Sequence, residues 1–177
     1  MTVRVLGIDP GLVITGYGCL DLDEGAMEPR LVEGGAIKLT ASRSMNYRLK
    51  QLNDDLCCVL DDLKPDLMVV ETLFSHVRQV KTAIIMGHAR GVVLLAGESR
   101  GIAFDELTAP AVKKAIAGNG RATKAQMQLS VAEQLGLTEP PTPADVADAL
   151  AIALCAARRL ATSQLTKQAT KDSRPQV

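Results

Sequence analysis

Four carboxylates stand where a charge is costly, and they set the chemistry this chain can do. Asp9 ends a strand read from Val3, Val5 and Leu6 and is followed at once by Pro10-Gly11, a forced turn. Glu71 repeats the arrangement, with the short apolar run from Asp66 to Val70 stopping at it. Asp145 and Asp148 open a helix, DVADALAIALCAA, that is otherwise almost wholly apolar. At i and i+3 they share one face, one turn apart. Each acid alone has a plainer explanation. Asp9 can cap a hairpin turn, Glu71 can be a surface acid after a strand, and Asp145 can cap its helix with Thr142. Asp148 has no such explanation, because an acid inside so apolar a helix needs a partner.

If the first and fourth strands are neighbours and the last helix lays its N-terminus over them, the four acids converge. Four anions cannot share a small apolar site without cations. No set of His or Cys accompanies them, and an all-oxygen site suits Mg²⁺ or Mn²⁺. Two such ions about 3.5–4 Å apart clamp the attacking and leaving oxygens of a phosphodiester, with water as the nucleophile. No side-chain nucleophile is evident.

The formal net charge is zero, so composition alone does not call for a polyanionic partner. The distribution is uneven. Residues 1–74 hold 7 basic and 12 acidic side chains, whereas residues 75–130 hold 8 basic and 3 acidic, with His76 and His88 besides. The basic middle is either a set of solvated helix faces or a contact surface for phosphates. Hydrophobic residues make up 47% of the chain, and the aromatic residues are Tyr17, Tyr47, Phe74 and Phe104, so the core must be Leu, Val, Ile and Ala. No stretch is long and apolar enough to cross a membrane, and no signal segment opens the chain. Cys19, Cys57, Cys58 and Cys155 lack metal-ligand spacing and read as reduced thiols of a cytoplasmic protein.

The elements that must position the acids follow in order. Strands near Val3, Val13–Thr15 and Leu31–Leu39, joined closely, suggest an antiparallel meander, with Gly34-Gly35 as a bulge or bend. Ser42 reads as the N-cap of a helix from Met45 to Leu63, whose Asp54, Asp55, Asp61 and Asp62 form an exposed face. A strand at 66–70, a helix at 82–99 that is apolar nearly all round, and a strand at 102–107 come next. Helices at 111–117 and 123–135 follow, and the last runs from Pro143 to Leu160. The expectation is an α/β protein: a mixed five-stranded sheet with helices on both faces, one domain over residues 1–160, and a disordered polar tail over 161–177.

Five motifs in order carry a resemblance to a known family. They are GIDPG-x-x-x-TGYG at 7–18, VVETLF at 69–74, GHARGV at 87–92, VKKAIAGNG at 112–120 and ADVADALAIA at 144–153. Together they resemble the RuvC family of crossover (Holliday) junction endodeoxyribonucleases. The resemblance implies an RNase H-like fold, a homodimer through the 82–99 helix, and two Mg²⁺ per active site, with Mn²⁺ able to substitute. It implies paired symmetric nicks in four-way DNA junctions, giving 5′-phosphate and 3′-hydroxyl ends, in homologous recombination and DNA repair. It also implies partnership with the RuvA–RuvB branch-migration complex. Asp9, Glu71, Asp145 and Asp148 fall on the family's metal-binding carboxylates. Phe74 falls on its base-stacking aromatic, Lys113 and Lys124 on basic residues of catalysis or DNA contact, and Arg90 on the Arg of its ARG motif, a candidate DNA contact that could equally pack structurally. Arg78, Lys81, Lys114 and Arg121 are further candidate DNA contacts in the basic segment.

The chain departs from the family pattern in places. Leu12-Val13 replace a pair that is often polar and basic, and Arg121 stands where a small residue is common. The G-x-D-x-G opening is shared with RNase H-like nucleases that trim RNA and with actin-like nucleotide-binding modules. The Asp-x-x-Asp helix and Phe74 favour the junction family over the first, and the short chain argues against the second. A non-catalytic junction-binding protein with a structural acid cluster is a further alternative.

Overall fold

Strands β1 (Thr2–Asp9), β2 (Ile14–Asp23) and β3 (Arg30–Lys38) form the antiparallel meander that their short connections require. A computed structural model describes residues 1–72 and 80–172, with side chains described for 1–72 and 82–166. Helix α1 (Met45–Leu63) then crosses to β4 (Leu67–Glu71), and α2 (Val80–Glu98) leads to β5 (Ala103–Leu107). Both new strands are parallel: β4 lies beside β1, and β5 beside β4. The sheet order is β3-β2-β1-β4-β5. Helices α3 (Ala109–Ala117), α4 (Lys124–Gln134) and α5 (Ala144–Asp172) complete the chain.

The strands alternate strictly, so the sheet serves two cores. Leu6, Ile8, Cys19, Met68 and Val70 face α1 and α2, meeting Leu52, Leu56, Leu60, Ala89 and Val93. Val5, Leu20, Val69 and Leu107 face the other way, onto α3, α4 and α5. The acids of α1 singled out from sequence, Asp54, Asp55, Asp61 and Asp62, are all exposed. Helix α5 packs across β1, β2, β3 and β4, and it lies unusually close. A Cβ added to Gly7 would fall 2.2 Å from the Ala149 carbonyl oxygen, so only glycine lets helix and strand meet there.

Some boundaries differ from expectation. The segment 161–177, expected as a disordered tail, is helical as far as Asp172. Ala161 is buried, and no Gly or Pro interrupts the sequence between it and Pro175. Low hydrophobicity removes packing but does not stop a helix already nucleated. Helix α5 begins at Ala144, after a cis Thr142–Pro143 peptide, so Pro143 stands just outside it. The N-cap of α1 is Ser44, not Ser42. The irregularity in the β2–β3 ladder falls at Cys19/Leu20, opposite Glu33 and Leu31, while Gly34 and Gly35 stay in register.

Candidate active site

The register places the acids. Strands β1 and β4 run parallel, with Ile8 paired to Val70. Asp9 and Glu71 are therefore the next residues on adjacent strands, at the same end of the sheet. Asp9 pairs on its other side with Gly16 of β2. A Cβ on Gly16 would lie 2.0 Å from the Asp145 carbonyl oxygen, so the first turn of α5 rests directly on the strand beside Asp9. Asp148 follows one helical turn on. The positive end of the α5 dipole favours carboxylates in its first turn.

The turn after Asp9 is locked. The fully buried Thr15 hydroxyl donates to the Gly11 carbonyl at 2.7 Å and accepts from the Gly11 amide at 3.0 Å. Arg48 Nη1, reaching from α1, donates to the Leu12 carbonyl at 2.8 Å. Sequence reasoning missed both. A threonine inside a strand and an arginine on an amphipathic helix carry no signal of the backbone groups they will meet.

The acids feel one another. Asp9 is pushed up from the usual 3.8 to about 7, first by burial and then by the charges of Asp148, Glu71 and Asp145, with Lys124 opposing. Burial and Asp148 raise Glu71, and Lys113 opposes them. Asp148 is raised by burial, with Asp145 adding to the shift and Lys124 and Lys113 opposing it. The four carboxylates and two lysines thus share one electrostatic neighbourhood. Among the described residues, no three Asp, Glu, His or Cys side chains close on a point where they would hold an ion as they stand. The donor chemistry is nevertheless that of a hard divalent cation: carboxylate oxygens in excess, buried, and repelling one another when ionised.

The lysines are held by capped helices. Thr108 caps α3, accepting from the Ala111 amide at 3.3 Å. With Val112 and Ile116 buried, Lys113 comes out half-buried near Glu71 and Asp148. Thr123 and Gln126 form a capping box at the start of α4, which puts Lys124 at its first residue. Arg121 is exposed in the loop between these helices, its amide donating to Asn119 Oδ1 at 3.0 Å. Lys114 lines a separate groove between α3 and α5 with Cys155, Arg158 and Arg159. Phe74 and Arg78 lie outside the described residues, and Lys81 is in α2 with its side chain outside them.

Arg90, a candidate DNA contact for which the sequence leaves a packing role equally open, is buried. Its Nη1 donates to the Glu71 carbonyl at 2.6 Å, its Nη2 pairs with Glu106, and its guanidinium lies 5.9 Å from the centre of the Phe104 ring. The reason is its place on the inner face of α2, next to Ala89 and one turn before Val93, both fully buried.

A mixed sheet in the order β3-β2-β1-β4-β5, with acids at the carboxyl ends of β1 and β4, is the arrangement of the RNase H-like nucleases. Residues 5–156 match the family described as crossover junction endodeoxyribonuclease RuvC. A relative of that name from Rhodopirellula baltica is 48% identical over 85% of this chain and 84% of its own. One from Caldicellulosiruptor saccharolyticus is 42% identical over 86% of this chain and 91% of its own. The solved structure of Thermus thermophilus RuvC in complex with Holliday junction substrate superposes with a TM-score of 0.82 at 34% identity, covering 92% of this chain and 97% of that one. The chain belongs to the RuvC family.

Proposed function

We propose that this chain resolves four-way (Holliday) DNA junctions by paired, symmetric, metal-dependent nicks, acting in homologous recombination and DNA repair. The observation that carries the reading is the shared field of Asp9, Glu71, Asp145 and Asp148, bordered by Lys113 and Lys124. The junction-bound relative supports the choice of substrate.

The four carboxylates would hold two Mg²⁺ ions, or Mn²⁺ in their place. Bound there, the ions supply an activated water and neutralise charge developing on the phosphodiester. The protein's own part is separable. Asp9 keeps a proton up to about neutral pH and must release it as a cation arrives. Lys113 and Lys124 offset the anionic field from the α3 and α4 side and would meet phosphate oxygens of the substrate. The locked Pro10-Gly11 turn and the α5 seat on Gly16 hold the acids in place before substrate arrives. Arg121 and Lys114, both exposed, are offered as contacts to flanking phosphates, and Phe74, Arg78 and Lys81 join them on the family pattern.

A second copy of the chain would dock on α2. Ile84, His88, Gly91 and Leu95 form an exposed stripe at i, i+4, i+7 and i+11. A Cβ on Gly87 or Gly91 would meet nothing within 4 Å among the described residues outside its own helix turn. Glycine inside a helix costs about 1 kcal/mol, so close approach by another backbone is the use that fits. A two-fold dimer would match two symmetric cuts. Partnership with RuvA–RuvB and a cytoplasmic location accompany the family reading. No described helix is long and apolar enough to cross a membrane.

The test is cleavage of a labelled immobile four-way junction in Mg²⁺, with linear duplex of the same sequence as competitor. Paired nicks near the crossover, with duplex untouched, are expected. Equal cleavage of duplex, or cleavage of structured RNA in preference, would overturn the reading.

A further inference from the structure

Glu71 is the less supported of the two acids that end strands, because it closes β4 beside the edge of the sheet. Strand β4 pairs with β1 only through Val70, so Glu71 overhangs that ladder and keeps β5 alone as a neighbour, opposite Leu107. An overhanging residue is free to turn, yet this one must present its carboxylate beside Asp9 and Asp148. The tie comes from α2. Arg90 Nη1 donates to the Glu71 carbonyl at 2.6 Å, while its Nη2 pairs with the Glu106 carboxylate on β5. The ring of Phe104, also on β5, lies 5.9 Å from the guanidinium carbon. Beyond Glu71, the Thr72 amide and hydroxyl both donate to the Leu107 carbonyl, at 2.8 and 2.9 Å.

We infer that Arg90 is a positioning residue for the nuclease site. It clamps the Glu71 peptide to the edge strand and so fixes where the Glu71 carboxylate stands, with Glu106 and Phe104 holding the guanidinium in turn. The inference rests on the reading of Glu71 as a metal-binding acid. The geometry requires arginine: two separate donors of one planar group serve the carbonyl and the carboxylate at once, which an ammonium on a flexible stem does not reproduce. It also leaves little for DNA. The Arg90 side chain is 11% exposed, and two of its donors are already committed to protein acceptors.

Three variants test the clamp: Arg90→Gln, Arg90→Lys and Glu106→Gln. The readouts are kcat and KM on a four-way junction, junction affinity at several salt concentrations, Mn²⁺ binding by calorimetry, and amide hydrogen exchange of residues 69–72 against β1. Arg90→Gln is expected to lower kcat and weaken Mn²⁺ binding by about 10–100-fold, the usual cost of losing a group that orients a metal ligand. Exchange at 69–72 is expected to rise while β1 stays protected, with junction affinity and its salt dependence unchanged. Arg90→Lys recovers part of the loss. Glu106→Gln shifts every readout the same way by less, although removing an anion alone favours a polyanionic ligand.

Weaker junction binding with a shallower salt slope and intact kcat would make Arg90 a phosphate contact and overturn the inference. Exchange that rises throughout the sheet, with Mn²⁺ binding of the folded fraction intact, would make it general support for the fold and also overturn it. If Arg90→Gln does not fold, the half-exposed Glu106 carries the same test. A wild-type protein that binds Mn²⁺ but cuts no junction would remove the proposed function, while the exchange and Mn²⁺ readouts would still decide the role of Arg90.

Discussion

At the scale of single residues, the informative group is Asp9. Its folded form holds a proton up to about pH 7, whereas an unfolded aspartate releases it near 3.8. The native state therefore binds more protons across that interval, and stability rises as pH falls through it. Asp9→Asn removes the buried charge. It is expected to abolish cleavage, by 100-fold or more on the order-of-magnitude scale of lost electrostatic groups. It is also expected to raise the urea midpoint at pH 8 in chelator, with the gain fading by pH 5. A variant no more stable than wild type at pH 8 would refute the repulsive origin of the shift. Metal loading has the opposite pH dependence. The Mg²⁺ concentration for half-maximal cleavage should climb as pH drops from 8 to 6, because proton and cation compete for Asp9. These acids were legible in the sequence because each breaks a hydrophobic pattern. Arg90 stayed open between a DNA contact and a packing role for the converse reason: a basic residue in a basic segment looks like a phosphate contact until its two internal acceptors are visible.

Among the elements, α5 and its glycine seats decide the site. Gly16→Ala drives a Cβ against the Asp145 backbone, and the helix must move. The expected cost is about 1–3 kcal/mol of stability by denaturant titration, with cleavage down about 100-fold from displaced carboxylates. Gly34→Ala is the control. The atoms nearest its Cβ are the Leu150 and Val146 side-chain tips at 3.2–3.5 Å, so activity should stay near wild type. If both variants cleave alike, the Gly16 seat does not position the acids. Element types and their order were readable from periodicity and breakers, and the β1–β4 adjacency was a condition of the argument that the register meets. Boundaries were harder. The start of α5 falls one residue beyond the Pro143 expected, and its far end depends on helix propagation through polar residues.

For the whole molecule, the predictions concern net charge and the proposed two-fold dimer. The chain is neutral overall, so junction affinity should depend on a few local cations and be sensitive to salt. Lys124→Ala is expected to reduce the slope of log affinity against log salt by about 1. Gly91→Leu tests the proposed dimer separately from the monomer. It should raise the melting temperature of the isolated chain, since helix propensity improves into open space, while lowering dimer affinity in sedimentation equilibrium. A variant that dimerises as wild type would place the interface elsewhere. The position of α5 has a last consequence, for synthesis. Asp9 is made early, but Asp145 and Asp148 are made late, on the helix that also covers β1, β2, β3 and β4. A chain cut short before α5 lacks two of the four clustered acids together with the helix that covers β1, β2, β3 and β4. On the proposed function, covering the sheet and completing the acid set are one event, because the segment that finishes the fold also carries the last two acids.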